Sequence, residues 1–210
     1  MKIYGHFFSA PVNQVRLTAS ALGIKHDYQH IDIPGGETKS AEYLAINPFG
    51  RVPTLDDNGF KLGESGAISR YLACKNQSDM YPQDLQKRAK IDQWMDVAAH
   101  HIRTNMSKVL FNKVFAPMME RPVDEQSMAD GHTNLTTNLP MVNDALGQTP
   151  YLAGDSLTIA DTAMMAALDP FEMIGFDLTP YPNINKWRQN NMAQDWYQNV
   201  HARFGAEMQA

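Results

Sequence analysis

NPFGRVPTLDDNGFKLGESGAISRYL, the run from Asn47 to Leu72, packs a proline-fixed corner, a hairpin and a helix start into 26 residues. Val52-Pro53-Thr54-Leu55 is a short apolar run opened by a proline. Proline lacks an N–H and belongs at a strand start or sheet margin, which leaves Val52 with backbone groups a ligand could use. Asp57-Asn58-Gly59 separates this run from the next. Asn-Gly supplies the positive φ values of a tight hairpin, so two antiparallel strands are expected. Beyond them Ala67, Ile68, Tyr71 and Leu72 recur at helical spacing, and Ser65, after Glu64, reads as the N-cap of that helix. A helix start attracts carboxylates through its unbonded N–H groups. Each piece alone is ordinary turn and cap chemistry. Their order is what carries information.

Toward the N-terminus, Lys2 to Phe7 reads as a strand with Ile3 and Phe7 on one face and Tyr4 and His6 on the other. Pro11 fits the first turn of a helix carrying Val15, Leu17, Ala19, Ala21 and Leu22, ended by Gly23. Ser9 therefore stands just before a helix N-terminus. His26 to Ile33 reads as a second strand, stopped by Pro34-Gly35-Gly36. Strand, helix, strand, hairpin and helix in this order resemble a thioredoxin-like α/β domain, expected over residues 1–77.

A linker is expected at 78–84 and an all-helical domain over 85–210. Ile91, Trp94, Met95 and Ala98 keep helical period in a segment that could continue to Val114 or Pro117. A second helix is expected from Pro122 toward Leu146, across Gly131 and Pro140. In GDSLTIAD, residues 154–161, Thr158 can cap a helix while Asp161 reaches back to the cap's N–H. Pro182, then Trp187 to Arg203, give one or two closing helices.

Charge narrows the partners. Residues 1–77 hold eight Lys/Arg and seven Asp/Glu, and residues 78–210 hold ten and sixteen, giving +1 and −6 and the overall −5. An acidic balance without basic blocks argues against a nucleic-acid surface, whose affinity rests on Lys/Arg contacts to phosphate. Cys74 is the only cysteine, so no intramolecular disulfide is possible and a reducing compartment is expected. His6 and Asn13 interrupt any signal-peptide core, and no apolar run approaches a membrane span, so a cytoplasmic protein without membrane contact is expected.

The whole string from Asn47 resembles the glutathione-binding half of the cytosolic glutathione S-transferase family, in which a loop, a cis-proline, a hairpin and a Glu-Ser pair follow in this order. X-Pro bonds are cis in only about 5–6% of cases, so a cis Val52-Pro53 is implied by the resemblance alone. The box at 154–161 resembles the buried capping box that starts the central helix of the family's second domain. The resemblance implies a detoxifying transferase, a homodimer with glutathione as co-substrate and a small hydrophobic electrophile as second substrate, and no metal. Phe49 resembles an aromatic key between subunits, though a loop Phe can equally tuck into its own domain.

The chemistry this implies is specific. A thiol of pKa near ~8.5 is only about 3% ionised at pH 7, and lowering that pKa by ~2 units requires about 2.7 kcal/mol of preferential stabilisation of the anion. A hydroxyl donor with a helix N-terminus can supply it. In GHFFSAPVNQVR, Ser9 stands where the delta, theta and phi classes carry their catalytic serine; the residues themselves equally allow a plain helix cap. Tyr4 is the alternative, one residue early for the tyrosine classes. By resemblance Glu64 and Ser65 meet the γ-glutamyl amine and carboxylate, and the backbone of Val52, before Pro53, pairs with the cysteinyl unit. Lys39 and Arg51 reach the glycyl end, or are simply solvated. Gly66 stands where many relatives have arginine. Phe7, Phe8, Met106, Phe111 and Phe115, with Met118 and Met119, are candidates for an apolar substrate pocket or plain core. Cys74 reads as a buried small hydrophobe. Adjacent His100 and His101 diverge by about 100° on a helix and make no metal pair. Two alternatives stand beside this reading: a glutathione-dependent reductase or peroxidase, which by resemblance usually works through a cysteine in the first turn that this chain lacks, and a non-enzymatic binding or scaffold module of the same fold.

Overall fold

Strand β1 (Lys2–Gly5) turns Ile3 and Gly5 inward and leaves Tyr4 half-buried on the other face, the alternation a pleated strand imposes. The computed structural model containing it describes residues 1–207, with side chains described through His201. Gly5 lets helix α1 (Ala10–Ala21) lie close, since a β-carbon there would fall 2.4 Å from Cγ1 of Val12. Strand β2 (Asp27–His30) returns parallel to β1, while β3 (Thr54–Asp57) is antiparallel to β1 and hairpins into β4 (Phe60–Gly63). The sheet order is β2-β1-β3-β4. Between β2 and β3 lie a 3-10 turn (Glu37–Lys39) and the short helix α2 (Ala41–Ile46). Asn58 and Gly59 take the positive φ values of 55° and 95° expected of the hairpin turn. Ile3, Val15, Ala19, Leu55, Ile68 and Leu72 form the core between the sheet, α1 and helix α3 (Ser65–Lys75).

The described chain divides into two compact units, one formed by residues 1–82 with the chain from Met192 onward, the other by Gln83–Asn191. The second is helical. An unbroken helical run comprises α4 (Leu85–Asp96), a π segment (Val97–Arg103), α5 (Thr104–Leu110), a second π segment (Phe111–Phe115) and α6 (Ala116–Met118). Thr104, Asn105 and Asn112 donate side-chain bonds to the carbonyls of Ala99, His101 and Lys108, the kind of competition that loosens α-helical pairing. Helix α7 (Glu125–Gln148) follows, and Gly131 lets it close on α5, because a β-carbon would lie 2.9 Å from the Asn105 carbonyl. Then come α8 (Ile159–Leu168), α9 (Phe171–Ile174) and α10 (Pro182–Met192).

The capping box forms as expected at the start of α8. Asp161 is fully buried and accepts from the Thr158 N–H and hydroxyl, both 2.9 Å, and from the Leu152 N–H at 3.0 Å. Burial pushes its carboxyl up to about 6 against the opposing pull of these donors.

Several local expectations are corrected. The first strand stops at Gly5, not Phe7, because residues 6–9 form a turn closed by the Ser9 N–H on the His6 carbonyl. The second strand is Asp27–His30 rather than His26–Ile33. Glu64, not Ser65, is the N-cap of α3; the Ser65 hydroxyl instead donates to Oε1 of Gln14, 3.0 Å away on α1. Cys74 is exposed, since α3 turns its neighbours Leu72 and Ala73 to the core. The second long helix begins at Glu125, where Asp124 caps the Ser127 N–H, and it runs through Pro140, which sits on its exposed face. Helix α11 (Asp195–Glu207), read as part of the helical domain, packs against α1 in the first unit. Residues 208–210 of that expected domain lie outside the described residues.

Candidate active site at one end of the sheet

The pairing register gathers the site. Tyr4 faces Gln29 and Thr54, Gly5 faces His30, and Thr54 faces Gly63. The C-terminal ends of β1, β2 and β4 and the start of β3 therefore share one end of the sheet. From that end run the turn to Ser9, the loop to Lys39, the incoming Val52-Pro53 and the outgoing Glu64-Ser65. Four segments remote in sequence converge there.

Ser9 is half-buried at the N-cap of α1, with φ −87° and ψ 109°, and its hydroxyl makes no capping bond to the helix. The first turn of α1 carries no acidic residue, so the positive end of its dipole is not offset locally. Tyr4, the alternative donor, lies within β1 with its ring edge-on to Tyr43 at 6.4 Å.

The Val52-Pro53 peptide bond is cis. The backbone N–H and C=O of Val52 take no partner among the described residues. The preceding carbonyl, that of Arg51, is held by the Tyr43 hydroxyl at 2.8 Å and by Nδ2 of Asn47 at 2.9 Å. Tyr43 and Asn47 also bond the Thr54 hydroxyl, at 3.0 and 2.9 Å, so the corner is anchored on both sides of the proline. Burial raises the Tyr43 phenol above its ordinary value, which keeps it a donor.

Glu64 is exposed, and its φ of 64° is unusual for a residue with a β-carbon. Such backbone strain, of order 1–3 kcal/mol, is characteristic of functional positions. Its carboxylate has no partner among the described residues. Ser65 is buried and tied to Gln14; Gln14 and Thr18 in turn meet Ser69, which locks the start of α3 to α1. Lys39 is exposed at the end of its 3-10 turn, with Nζ 3.1 Å from where a β-carbon on Gly50 would lie, so it reaches the loop that carries the exposed Arg51.

The apolar candidates divide. Phe7 is half-buried and Phe8 is 40% exposed beside Ser9; on the helical unit Phe111 is 40% exposed and Phe115 half-buried. Met106 is only 1% exposed, inside the packing of its own unit, and offers no surface to a ligand. Among the described residues no group of three His, Cys, Asp or Glu side chains is placed to hold a metal ion, and no helix is long and apolar enough to cross a membrane.

Three positions escaped the sequence reading: Tyr43, Asn47 as a side chain, and Gln14. Each holds a candidate site residue, Tyr43 and Asn47 the carbonyl of Arg51 and Gln14 the hydroxyl of Ser65. The available signal was polarity at inward-facing positions, as for Gln14 amid Val12, Val15 and Leu17.

Residues 1–74 match the glutathione S-transferase N-terminal domain model and residues 107–195 the glutathione S-transferase C-terminal domain model. The chain is 34% identical over 166 residues to glutathione S-transferase F10 of Arabidopsis thaliana, covering 78% of this chain and 77% of that protein. It is 33% identical over 192 residues to human (Homo sapiens) glutathione S-transferase theta-2B, covering 90% and 79%. Its fold is similar to the crystal structure of a theta-class glutathione S-transferase from the citrus canker pathogen Xanthomonas axonopodis pv. citri with glutathione bound, at a TM-score of 0.87, 28% identity and 95% coverage of both chains. With both domain models matched in order and about a third of the residues shared over most of two transferases, the chain belongs to the glutathione S-transferase family.

Proposed function

We propose that in this glutathione S-transferase Ser9 donates its hydroxyl to the glutathione sulfur and holds it as thiolate for attack on a small hydrophobic electrophile. The observation that carries this reading is the Ser9 hydroxyl itself, uncommitted to its helix and set at the dipole end of α1, at the sheet end where the cis-proline and Glu64 also lie. The Val52 N–H and C=O pair with the backbone of the cysteinyl unit. Glu64 meets the γ-glutamyl ammonium, while the backbone N–H groups of Ser65 and the start of α3 meet its carboxylate, the Ser65 hydroxyl being given to Gln14, so each charge is paired with its opposite or with N–H donors. Lys39 and Arg51 meet the glycyl carboxylate.

A charge-assisted hydrogen bond contributes about 1.5–3 kcal/mol, which corresponds to roughly one to two pH units in the thiol. Ser9→Ala should therefore raise the pKa of enzyme-bound glutathione by about one to two units and cut turnover of a generic aromatic chloride at neutral pH by at least about tenfold, with glutathione binding retained. Full activity in Ser9→Ala together with its loss in Tyr4→Phe would transfer the role to Tyr4. Glutathione binding without turnover in the unaltered protein would favour a scaffold.

The electrophile is small and apolar in this reading. Phe7 and Phe8, next to Ser9, are its first contacts, supported by the exposure of Phe8. The protein acts as a homodimer, supported by Phe49, which is 74% exposed on its loop. A detoxifying role and a cytosolic location complete the reading; a reducing compartment suits both thiol chemistry and a lone cysteine.

A further inference from the structure

The turn that presents Ser9 is closed by one residue twice. The His6 carbonyl accepts the Ser9 N–H at 2.9 Å, and Nδ1 of the His6 ring accepts the Phe8 N–H at 3.2 Å. An imidazole nitrogen can accept only through its lone pair, so this second bond requires the ring to be neutral with its proton on Nε2. The ring is fixed from several sides. It stacks on Phe7 at 4.7 Å between centroids, and Phe8 and His30 lie at 5.8 and 4.9 Å. The titratable groups facing it are His30, from β2, and Asp32 just beyond; His30 disfavours a second positive charge and Asp32 favours one. Burial is the larger influence and, with His30, holds His6 below the ordinary histidine value.

We propose that His6 is a positioning residue for the thiol-activating turn, clamping the Phe8 N–H only while its imidazole is neutral. The inference rests on the reading of Ser9 given above. Protonation places an N–H at Nδ1 opposite the N–H of Phe8, two donors face to face, and the bond is lost. The turn one residue before Ser9 then loses one of its two closures. Activity should fall on the acidic side for a reason separate from titration of the substrate thiol.

Asparagine separates the two causes, since its side-chain carbonyl can accept the N–H two residues on and does not titrate. In amide NMR spectra of the unaltered protein, the Phe8 and Ser9 resonances should titrate together with the His6 ring, at a midpoint below 6.5. In His6→Asn they should not titrate. The bond is solvent-exposed, so His6→Ala should lose at most about fivefold in kcat/KM at neutral pH, the factor carried by about one net hydrogen bond, and His6→Asn should recover most of the loss. The acid limb of kcat/KM should then report two ionisations in the unaltered enzyme and one in His6→Asn, that one matching the bound thiol followed by its own thiolate absorbance. A Phe8 amide that ignores the His6 titration overturns the clamp. Identical acid limbs in the unaltered enzyme and His6→Asn overturn its role in activity even where Ser9 proves essential. Full activity in Ser9→Ala would refute Ser9 and, with it, the activity arm, while the NMR titration still decides the clamp.

Discussion

Removing the Asn47 side chain should loosen the corner that delivers Val52 without touching any atom proposed to meet glutathione. In Asn47→Ala two bonds vanish, a part-buried one to the Arg51 carbonyl and a buried one to the Thr54 hydroxyl, each 2.9 Å long. The bond from the Phe49 N–H to Oδ1 of Asn47 goes as well, but it lies at the loop surface, where water can replace it. At about 1 kcal/mol net per bond, less for the part-buried one, the folded state should lose about 1–2 kcal/mol. Tyr43 still holds both orphaned groups, which keeps the loss from being larger. A loosened corner must be ordered again on binding, and fixing one backbone residue costs about 1–2 kcal/mol, so glutathione affinity should fall by about tenfold. Urea denaturation and calorimetric titration with glutathione measure the two quantities. Asn47→Asp keeps the acceptor for Phe49 and the volume, but sets a second acceptor against the Arg51 carbonyl; it should do at least as much damage as alanine. Wild-type affinity in Asn47→Asp, or unchanged stability and affinity in Asn47→Ala, would refute the reasoning.

Asp161 makes the folded state bind more protons than the unfolded chain between about pH 4 and 6, because its carboxyl rises from 3.8 to about 6 on folding. Its contribution is therefore full below that window and is lost as pH rises through it, by about 3 kcal/mol in all. Asp161→Asn should flatten this part of the stability profile, and parallel urea midpoints for the two proteins across the window would contradict the assignment. Asp161→Ala strands the donors of Leu152 and Thr158 in the core and should cost about 3 kcal/mol or more, read as soluble yield and melting temperature. Phe49→Ser should shift sedimentation toward monomer while leaving helix content intact; an unchanged dimer would remove Phe49 from the interface.

The run from Asn47 to Leu72 was legible because its signals are local. Proline's missing N–H, the positive φ of Asn58-Gly59 and the spacing of Ile68 and Leu72 act within a few residues, as does the box of Thr158 and Asp161. Register and partnership were not legible. Whether Ser65 caps α3 or bonds Gln14, 51 residues away, depends on where α1 comes to rest, and that placement left the cap to Glu64. The exposure of Cys74, the burial of Met106 and the docking of α11 on α1 follow equally from which faces meet. The same holds for the turn before Ser9, read as strand through Phe7 until the His6 ring and carbonyl are seen to close it. Backbone chemistry, acting at short range, was written in the residues; the choice of partner for each polar side chain needed the packed chain, because only packing decides which groups lose their water together.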